Sequence, residues 1–170
     1  MGTPAPPFRI ERLADHDRRA FSCGQEAIDR WFHELAAQQQ ERGLAVVQVM
    51  VEAASGAVAG FYSLSNYAVI GADLPRLEGK KLPARMPIPM HLLGRLGVHR
   101  DYQRRGIGQA LVSHALRSAR SQTDVSASLG VVVDALTPDL VPWYQNLGFV
   151  TFPEHPLKLV MTMRAIGRLE

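Results

Sequence analysis

The stretch Gln103-Arg104-Arg105-Gly106-Ile107-Gly108 constrains this chain more than any other, because it joins a strand pattern to an amphipathic helix pattern. Upstream, Leu92–Val98 reads as a strand. Downstream, Ile107, Ala110, Leu111 and Ala115 fall on one face at helical spacing. A glycine-punctuated turn feeding a helix exposes unpaired N–H groups at the positive end of the helix dipole, and glycines let an anion approach the backbone. Arg104 and Arg105 add positive charge. Spacing excludes two common phosphate-binding arrangements. A dinucleotide fingerprint counted from Gly106 needs a third glycine where this chain has Leu111, and no Gly-Lys-Ser/Thr follows to make a P-loop.

The remaining pattern surrounds that junction with a mixed sheet. Phe8–Leu13 alternates as a first strand. Ser22 and Gln25 have the spacing of a capping box, and Ile28, Trp31, Phe32, Leu35 and Ala36 predict a helix over roughly 23–41, with Gly43 as its stop. Ala45–Ala53 and Val58–Ser65 flank Ser55-Gly56 as a hairpin. The proline-rich run Gly71–Pro89 predicts a loop or short-helix excursion. Leu129–Ala135 reads as a buried strand, Val141–Leu147 as a short helix stopped by Gly148, and Leu157–Met163 as a final strand. The order β, α, about three antiparallel strands, then β-α-β-α-β predicts an α/β chain: a central mixed, mostly antiparallel sheet with helices on both faces.

The chain has 170 residues, enough for one domain, expected over 8–170 behind a disordered proline-rich leader at 1–7. No apolar run approaches the roughly 20 residues that span a bilayer. Cys23 is the only cysteine, so no internal disulfide can form, and a reducing cytoplasm is the expected compartment. A net charge of +3 permits a polyanionic partner without demanding one.

Three ordered segments resemble the GNAT acetyltransferases. Gln103-x-x-Gly106-x-Gly108 matches the pyrophosphate-binding motif of that superfamily. Leu96-Gly97-Val98 resembles its central strand, and Trp143-Tyr144-x-x-x-Gly148-Phe149 resembles its aromatic-Tyr-x-x-x-Gly-Phe segment. The resemblance implies acetyl-CoA as cosubstrate and no metal. It puts the diphosphate on Gln103, Arg104, Arg105, Gly106, Ile107 and Gly108, and the pantetheine arm and developing oxyanion on the backbone of Leu96, Gly97 and Val98. Tyr144 would be the acid beside the departing thiolate, against the plain alternative of a core aromatic. No general base stands out: Glu52, His91, His99 and Asp134 qualify by residue type alone, and Cys23 has no histidine paired with it in sequence.

Further segments resemble one branch of the superfamily. They are Phe21-Ser22-Cys23-Gly24 with Ile28-Asp29-Arg30-Trp31-Phe32, then Gly60–Ser65, then Pro87–Met90 with Leu93–Leu96. That branch comprises type II toxins that acetylate the α-amine of aminoacyl-tRNA and block translation. The resemblance implies a cytoplasmic homodimer with no membrane association. It also implies a cognate antitoxin built from a ribbon-helix-helix domain and a wrapping tail. Lys80, Lys81, Arg85, Arg95, Arg100, Arg104, Arg105, Arg117 and Arg120 could form a basic face for tRNA, or stand as scattered surface charges. Acceptors from other classes stay open, namely a small amine or a protein amine, as does a non-catalytic acetyl-CoA-binding module. This chain departs from the branch at Gly97, where alanine is usual, and at Pro142 within the short helix.

Overall fold

The computed structural model describes residues 7–79 and 81–170, so six of the seven residues of the expected leader, and Lys80, lie outside the described residues. Seven strands and five α-helices are present among the described residues, and the sheet is mixed and mostly antiparallel. The chain divides into two compact units, residues 1–64 with 95–114, and residues 65–94 with 115–170. Strands β3 (Val58–Ile70) and β4 (Pro87–Val98) and helix α3 (Ile107–Ser121) each contribute to both.

In the first unit the hydrogen-bonded order is β1 (Phe8–Arg12), β2 (Val46–Glu52), β3, β4. The β2–β3 hairpin turns at Gly56, whose φ of +74° suits glycine, and Gly56 N–H donates to Glu52 O at 2.8 Å. Aromatic rings fill the core. Phe32 lies stacked on Phe61 at 4.1 Å, and Phe21 meets both edge-on at 5.0 and 5.3 Å.

The helix expected over 23–41 is instead two, α1 (Glu26–Glu34) and α2 (Ala36–Glu41), broken at Leu35. Arg18 is the cause. Its guanidinium donates to Phe32 O and His33 O, both at 3.0 Å, drawing off carbonyls that a continuous helix would give to Ala36 and Ala37. The Ser22–Gln25 capping box does not form, since α1 starts at Glu26 with Gln25 itself, not Ser22, in the N-cap position. Asp29 takes those groups instead, accepting from Ser22 Oγ at 3.0 Å and Cys23 N–H at 2.8 Å. Gly43 does stop α2. At φ +74° it donates to Gln40 O while Leu44 N–H reaches Gln39 O, a Schellman ending.

In the second unit the order is β3, β4, β5 (Gly130–Asp134), β7 (His155–Thr162), β6 (Val150–Phe152). The β4–β5 pair is parallel and the β5–β7 and β6–β7 pairs are antiparallel. Strand β4 begins at Pro87, five residues before its predicted start. The prolines hid it, because Pro87 and Pro89 read as breakers, although both sit at alternate, exposed positions near the strand's start. Strand β6 and helix α5 (Met163–Gly167) were not anticipated. The 71–86 excursion carries a short 3₁₀ turn, Gly71–Asp73, and is tied down by Leu74 and Leu77, which pack with Ile88, Met90, Val132, Phe152 and Val160. Helix α3 buries Ile107, Leu111, Val112, Ala115, Leu116 and Ala119, whereas Ala110, expected on that face, is exposed.

Gly97 explains its own departure from alanine. A Cβ there would stand 2.9 Å from Phe61 Cε1, 3.1 Å from Ile28 Cγ2 and 3.2 Å from Phe21 Cζ. Phe61 is fully buried and held by the stack, so it cannot swing aside. Gly97→Ala is expected to lower unfolding stability by about 1–3 kcal/mol. That corresponds to a drop of roughly 2–10 °C in melting temperature, readable by circular dichroism. An unchanged melting temperature would show the aromatic core to be looser than its geometry implies.

Candidate active site

The turn after β4 is held by side chains more than by ladder bonds. Gln103 donates through Nε2 to Cys23 O at 2.9 Å and to Val98 O at 3.0 Å, tying the end of β4 to the loop before α1. That loop is unusually well anchored. The carbonyls of Ala20, Phe21, Ser22 and Cys23 accept in turn from His99 Nε2, His33 Nε2, Arg100 N–H and Gln103 Nε2. Asp29 secures the same loop from below. Burial raises the pKa of its carboxyl, but the bonds from Cys23 and Ser22 outweigh burial and hold it below the usual carboxylate range.

A depressed folded-state pKa stabilises the fold above the unfolded value of about 3.9 and is lost as pH falls through the folded value. Asp29→Ala is therefore expected to cost about 1–2 kcal/mol at pH 7. The difference from wild type should hold flat down to about pH 5 and shrink below about pH 4, measured by urea unfolding across that range. A difference that widened toward acid would remove Asp29 as the anchor.

Beyond Gln103 the backbone turns left-handed twice, at Arg104 (φ +62°) and Gly106 (φ +76°), and α3 opens at Ile107. Ala110 N–H to Gly106 O, at 3.1 Å, is the first helical bond, so the amides of Ile107, Gly108 and Gln109 have no backbone acceptor among the described residues. A Cβ placed on Gly106 would meet nothing within 4 Å. Open amides, a helix N-terminus and a face free of side chain fit a diphosphate. Ile107 is buried and anchors the helix start, while Gln103, Arg104, Arg105 and Gly106 are exposed.

The strand leading in has a free edge. Strand β4 pairs with β5 through His91, Leu92 and Leu93. Arg95 N–H goes to Ser63 Oγ at 2.9 Å and His99 N–H to Ala59 O at 2.8 Å, both toward β3. Alternation therefore turns the amides of Leu96 and Val98 to the opposite edge. Gly97 lies between them with its own amide on the β3 side.

Tyr144 sits on α4 (Val141–Leu147), which starts with Pro142 in its first turn, where proline is tolerated. Gly148, at φ +111°, ends the helix: its N–H reaches Gln145 O at 3.0 Å and Phe149 N–H reaches Tyr144 O at 3.2 Å. This is a Schellman motif with Tyr144 and Phe149 in the positions whose side chains meet, and their rings do meet edge-on at 5.6 Å. The Tyr-x-x-x-Gly-Phe spacing is thus a helix ending that fixes the tyrosine ring, with Trp143 against its other side at 4.9 Å. Tyr144 is 6% exposed, and burial pushes its hydroxyl pKa up to about 12. Among the described residues its hydroxyl makes no hydrogen bond. No described side-chain polar atom is both sealed from solvent and unpartnered, so this hydroxyl keeps an open face.

Each candidate base is already occupied. Glu52 accepts from Ser55 Oγ and Tyr102 Oη, which hold it below the usual carboxylate range. His99 accepts at Nδ1 from Asp101 N–H and donates at Nε2 to Ala20 O, so both nitrogens are spent. His91 bonds Ser128 Oγ at 3.0 Å, and burial pulls its pKa down. Asp134 lies 3.6 Å from Lys158 Nζ. Burial pushes the Cys23 thiol up to about 11, far from a reactive thiolate. No set of three His, Cys, Asp or Glu is placed to hold a metal among the described residues. Among the described residues, no helix is long and apolar enough to cross a membrane.

The basic residues do not form one set. Arg95 stacks on Trp31 at 5.0 Å, Arg120 pairs with Glu170, and Arg105 lies over aromatic rings. Lys81, Arg85, Arg100, Arg104 and Arg117 are exposed and make no ion pair among the described residues. Phe8 and Tyr102, which hold Arg105, were not visible in the sequence as site residues. Tyr102 gave the only signal, an aromatic three positions before an arginine in the turn.

Residues 47–151 match the acetyltransferase (GNAT) domain, and the chain belongs to that family. Its relatives are specific. A tRNA-acetylating toxin of Mycobacterium tuberculosis (strain ATCC 25618 / H37Rv) is 30% identical over 154 residues, 90% of each chain. The toxin AtaT complexed with acetyl-methionyl-tRNAfMet superposes with a TM-score of 0.87 at 28% identity, covering 95% of this chain and 98% of that one. A tyrosine-to-phenylalanine mutant of AtaT, bound to the C-terminus of the antitoxin AtaR and acetyl-CoA, gives 0.83 at 25% identity, covering 96% and 98%.

Proposed function

We propose that this acetyltransferase moves acetyl from acetyl-CoA to the α-amine of aminoacyl-tRNA, acting in the cytoplasm as the toxin of a toxin–antitoxin pair. The observation that carries the reading is the match to a tRNA-acetylating toxin over 90% of both chains. The site's chemistry agrees. An acceptor amine must be neutral to attack, and Glu52, His91, His99 and Asp134 are each committed to other partners. An α-amine titrates near 7.7–8.0, against about 10.4 for a lysine, and an ester on the same carbon lowers it further. Such an amine needs no protein base.

In this reading the open amides of Ile107 and Gly108, the face of Gly106 and the side chain of Arg104 receive the diphosphate. The edge amides of Leu96 and Val98 receive the pantetheine arm and support the carbonyl oxygen. The amine nitrogen attacks the thioester carbonyl, the C–N bond forms and the C–S bond breaks. Tyr144 donates its hydroxyl hydrogen bond to the departing thiolate, and the proton released from nitrogen balances the one the thiol gains. The uncommitted Lys81, Arg85, Arg100, Arg104 and Arg117 offer phosphate contacts to tRNA. A homodimer and a ribbon-helix-helix antitoxin complete the expected assembly.

Labelled acetyl-CoA incubated with bulk charged tRNA, with uncharged tRNA as control, tests the reading. Label on charged tRNA alone, released by ester hydrolysis as N-acetyl amino acid, is the expected result. Label only on added small amines or proteins would overturn the tRNA assignment and leave the enzyme class standing.

A further inference from the structure

Arg105, one of two exposed arginines in the turn before α3, lies against aromatic rings. The guanidinium carbon of Arg105 lies 5.5 Å from the centre of the Phe8 ring and 5.3 Å from that of Tyr102, and those two rings pack edge-to-face at 5.9 Å. The second ring is itself fixed, because Tyr102 Oη donates to Glu52 at 2.7 Å and Ser55 Oγ donates to the same carboxylate at 2.6 Å. A guanidinium seated this way gains cation–π attraction from two rings.

Its backbone position gives that seat a purpose. Arg105 stands between the two left-handed residues, Arg104 at φ +62° and Gly106 at φ +76°. A non-glycine residue in that region is strained, and such strain persists only where the surroundings hold it. The backbone bonds here are few among the described residues: Gln103 N–H reaches Arg100 O at a long 3.4 Å before the turn, and Ala110 N–H reaches Gly106 O at 3.1 Å at its end. Gln103 ties down the start of the turn, and the Arg105 side chain is the anchor at its middle.

We propose that Arg105 is a positioning residue of the acetyl-CoA site, its guanidinium clasped by Phe8 and Tyr102 so that the 104–106 turn stays open for the diphosphate. This rests on the acetyl-CoA reading above. Phe8 on β1 and Tyr102 in the 3₁₀ turn Arg100–Tyr102 thereby become part of the binding machinery without touching the ligand.

The test is a double-mutant cycle on the full chain, reading KM for acetyl-CoA, kcat, and direct binding of CoA by calorimetry. Arg105→Met keeps the stem and removes the cation; Tyr102→Leu removes the ring that holds it. Each is expected to weaken CoA binding and raise KM roughly five- to tenfold. The value of kcat should stay within about twofold. The double variant should be no worse than the weaker single, because each change breaks the same clasp. Phe8→Leu supplies the same arm of the cycle if Tyr102→Leu does not fold. A raised KM with a flattened salt dependence in Arg105→Met, beside normal binding in Tyr102→Leu, would make Arg105 a direct phosphate ligand and overturn the proposal. Normal binding in every variant overturns it equally. Wild-type protein that binds no CoA at all would instead sink the cofactor reading on which the proposal rests.

Discussion

Tyr144→Phe is expected to slow acetyl transfer by about 10²- to 10⁴-fold, the usual range for loss of a positioned acid. Dissociation constants for acetyl-CoA should stay within about twofold of wild type. The substitution is unusually clean because the Schellman ending of α4 fixes the ring through Phe149, and Trp143 closes its other side. Phenylalanine keeps all three contacts. The hydroxyl makes no hydrogen bond among the described residues, so its removal leaves no partner stranded and stability should not fall.

The elevated pKa sharpens the expectation. At about 12 the phenol stays protonated throughout the range in which the enzyme can be assayed, so no alkaline limb of the rate profile should belong to it. An alkyl thiol titrates near 8.5, well below this phenol, so the equilibrium form of the pair is a hydrogen bond from the tyrosine to the thiolate. The tyrosine then acts by stabilising charge as the C–S bond breaks, and its effect falls on kcat. Stopped-flow or steady-state assays at saturating acetyl-CoA read this directly. Full turnover in a folded Tyr144→Phe protein would return Tyr144 to the core as one more packed aromatic.

What the sequence revealed and what it hid follow from the range of the interactions involved. Elements set by local pattern were legible: the β2–β3 hairpin with its Gly56 turn, although β3 runs to Ile70, beyond the expected end at Ser65, the buried β5, and α4 to the residue, with Gly148 as its stop. The Tyr144–Phe149 helix ending was legible for the same reason, since it is closed within a few residues. Features set by distant partners were not. The break at Leu35 comes from Arg18, seventeen positions away, and the Ser22 hydroxyl donates to Asp29, seven positions on, in place of capping the helix. The clasp on Arg105 needs Phe8, ninety-seven positions earlier, which only the fold brings near. Gly97, a departure from the usual alanine in the sequence, is crowded by three side chains from separate segments that leave no room for a Cβ.

Gly106→Ala is expected to raise KM for acetyl-CoA by roughly 10- to 100-fold, because charge-assisted bonds from backbone amides are each worth about 1.5–3 kcal/mol and depend on close approach. Its cost to the fold should be no larger than that. At φ +76° an alanine is strained by about 1–2 kcal/mol, yet the added methyl meets nothing within 4 Å, in contrast to the crowded Gly97. Arg104 already holds a left-handed conformation with a full side chain, so the turn itself tolerates one. The bare face of Gly106 therefore matters for what it admits rather than for how the chain folds. Asparagine separates the two demands, since it adopts the left-handed region more readily than alanine but still carries a side chain into the open face. Gly106→Asn should recover the melting temperature lost by Gly106→Ala and leave CoA binding as weak. If Gly106→Asn instead binds CoA as wild type does, the face over Gly106 is not where the diphosphate lies, and the cradle assignment fails with it.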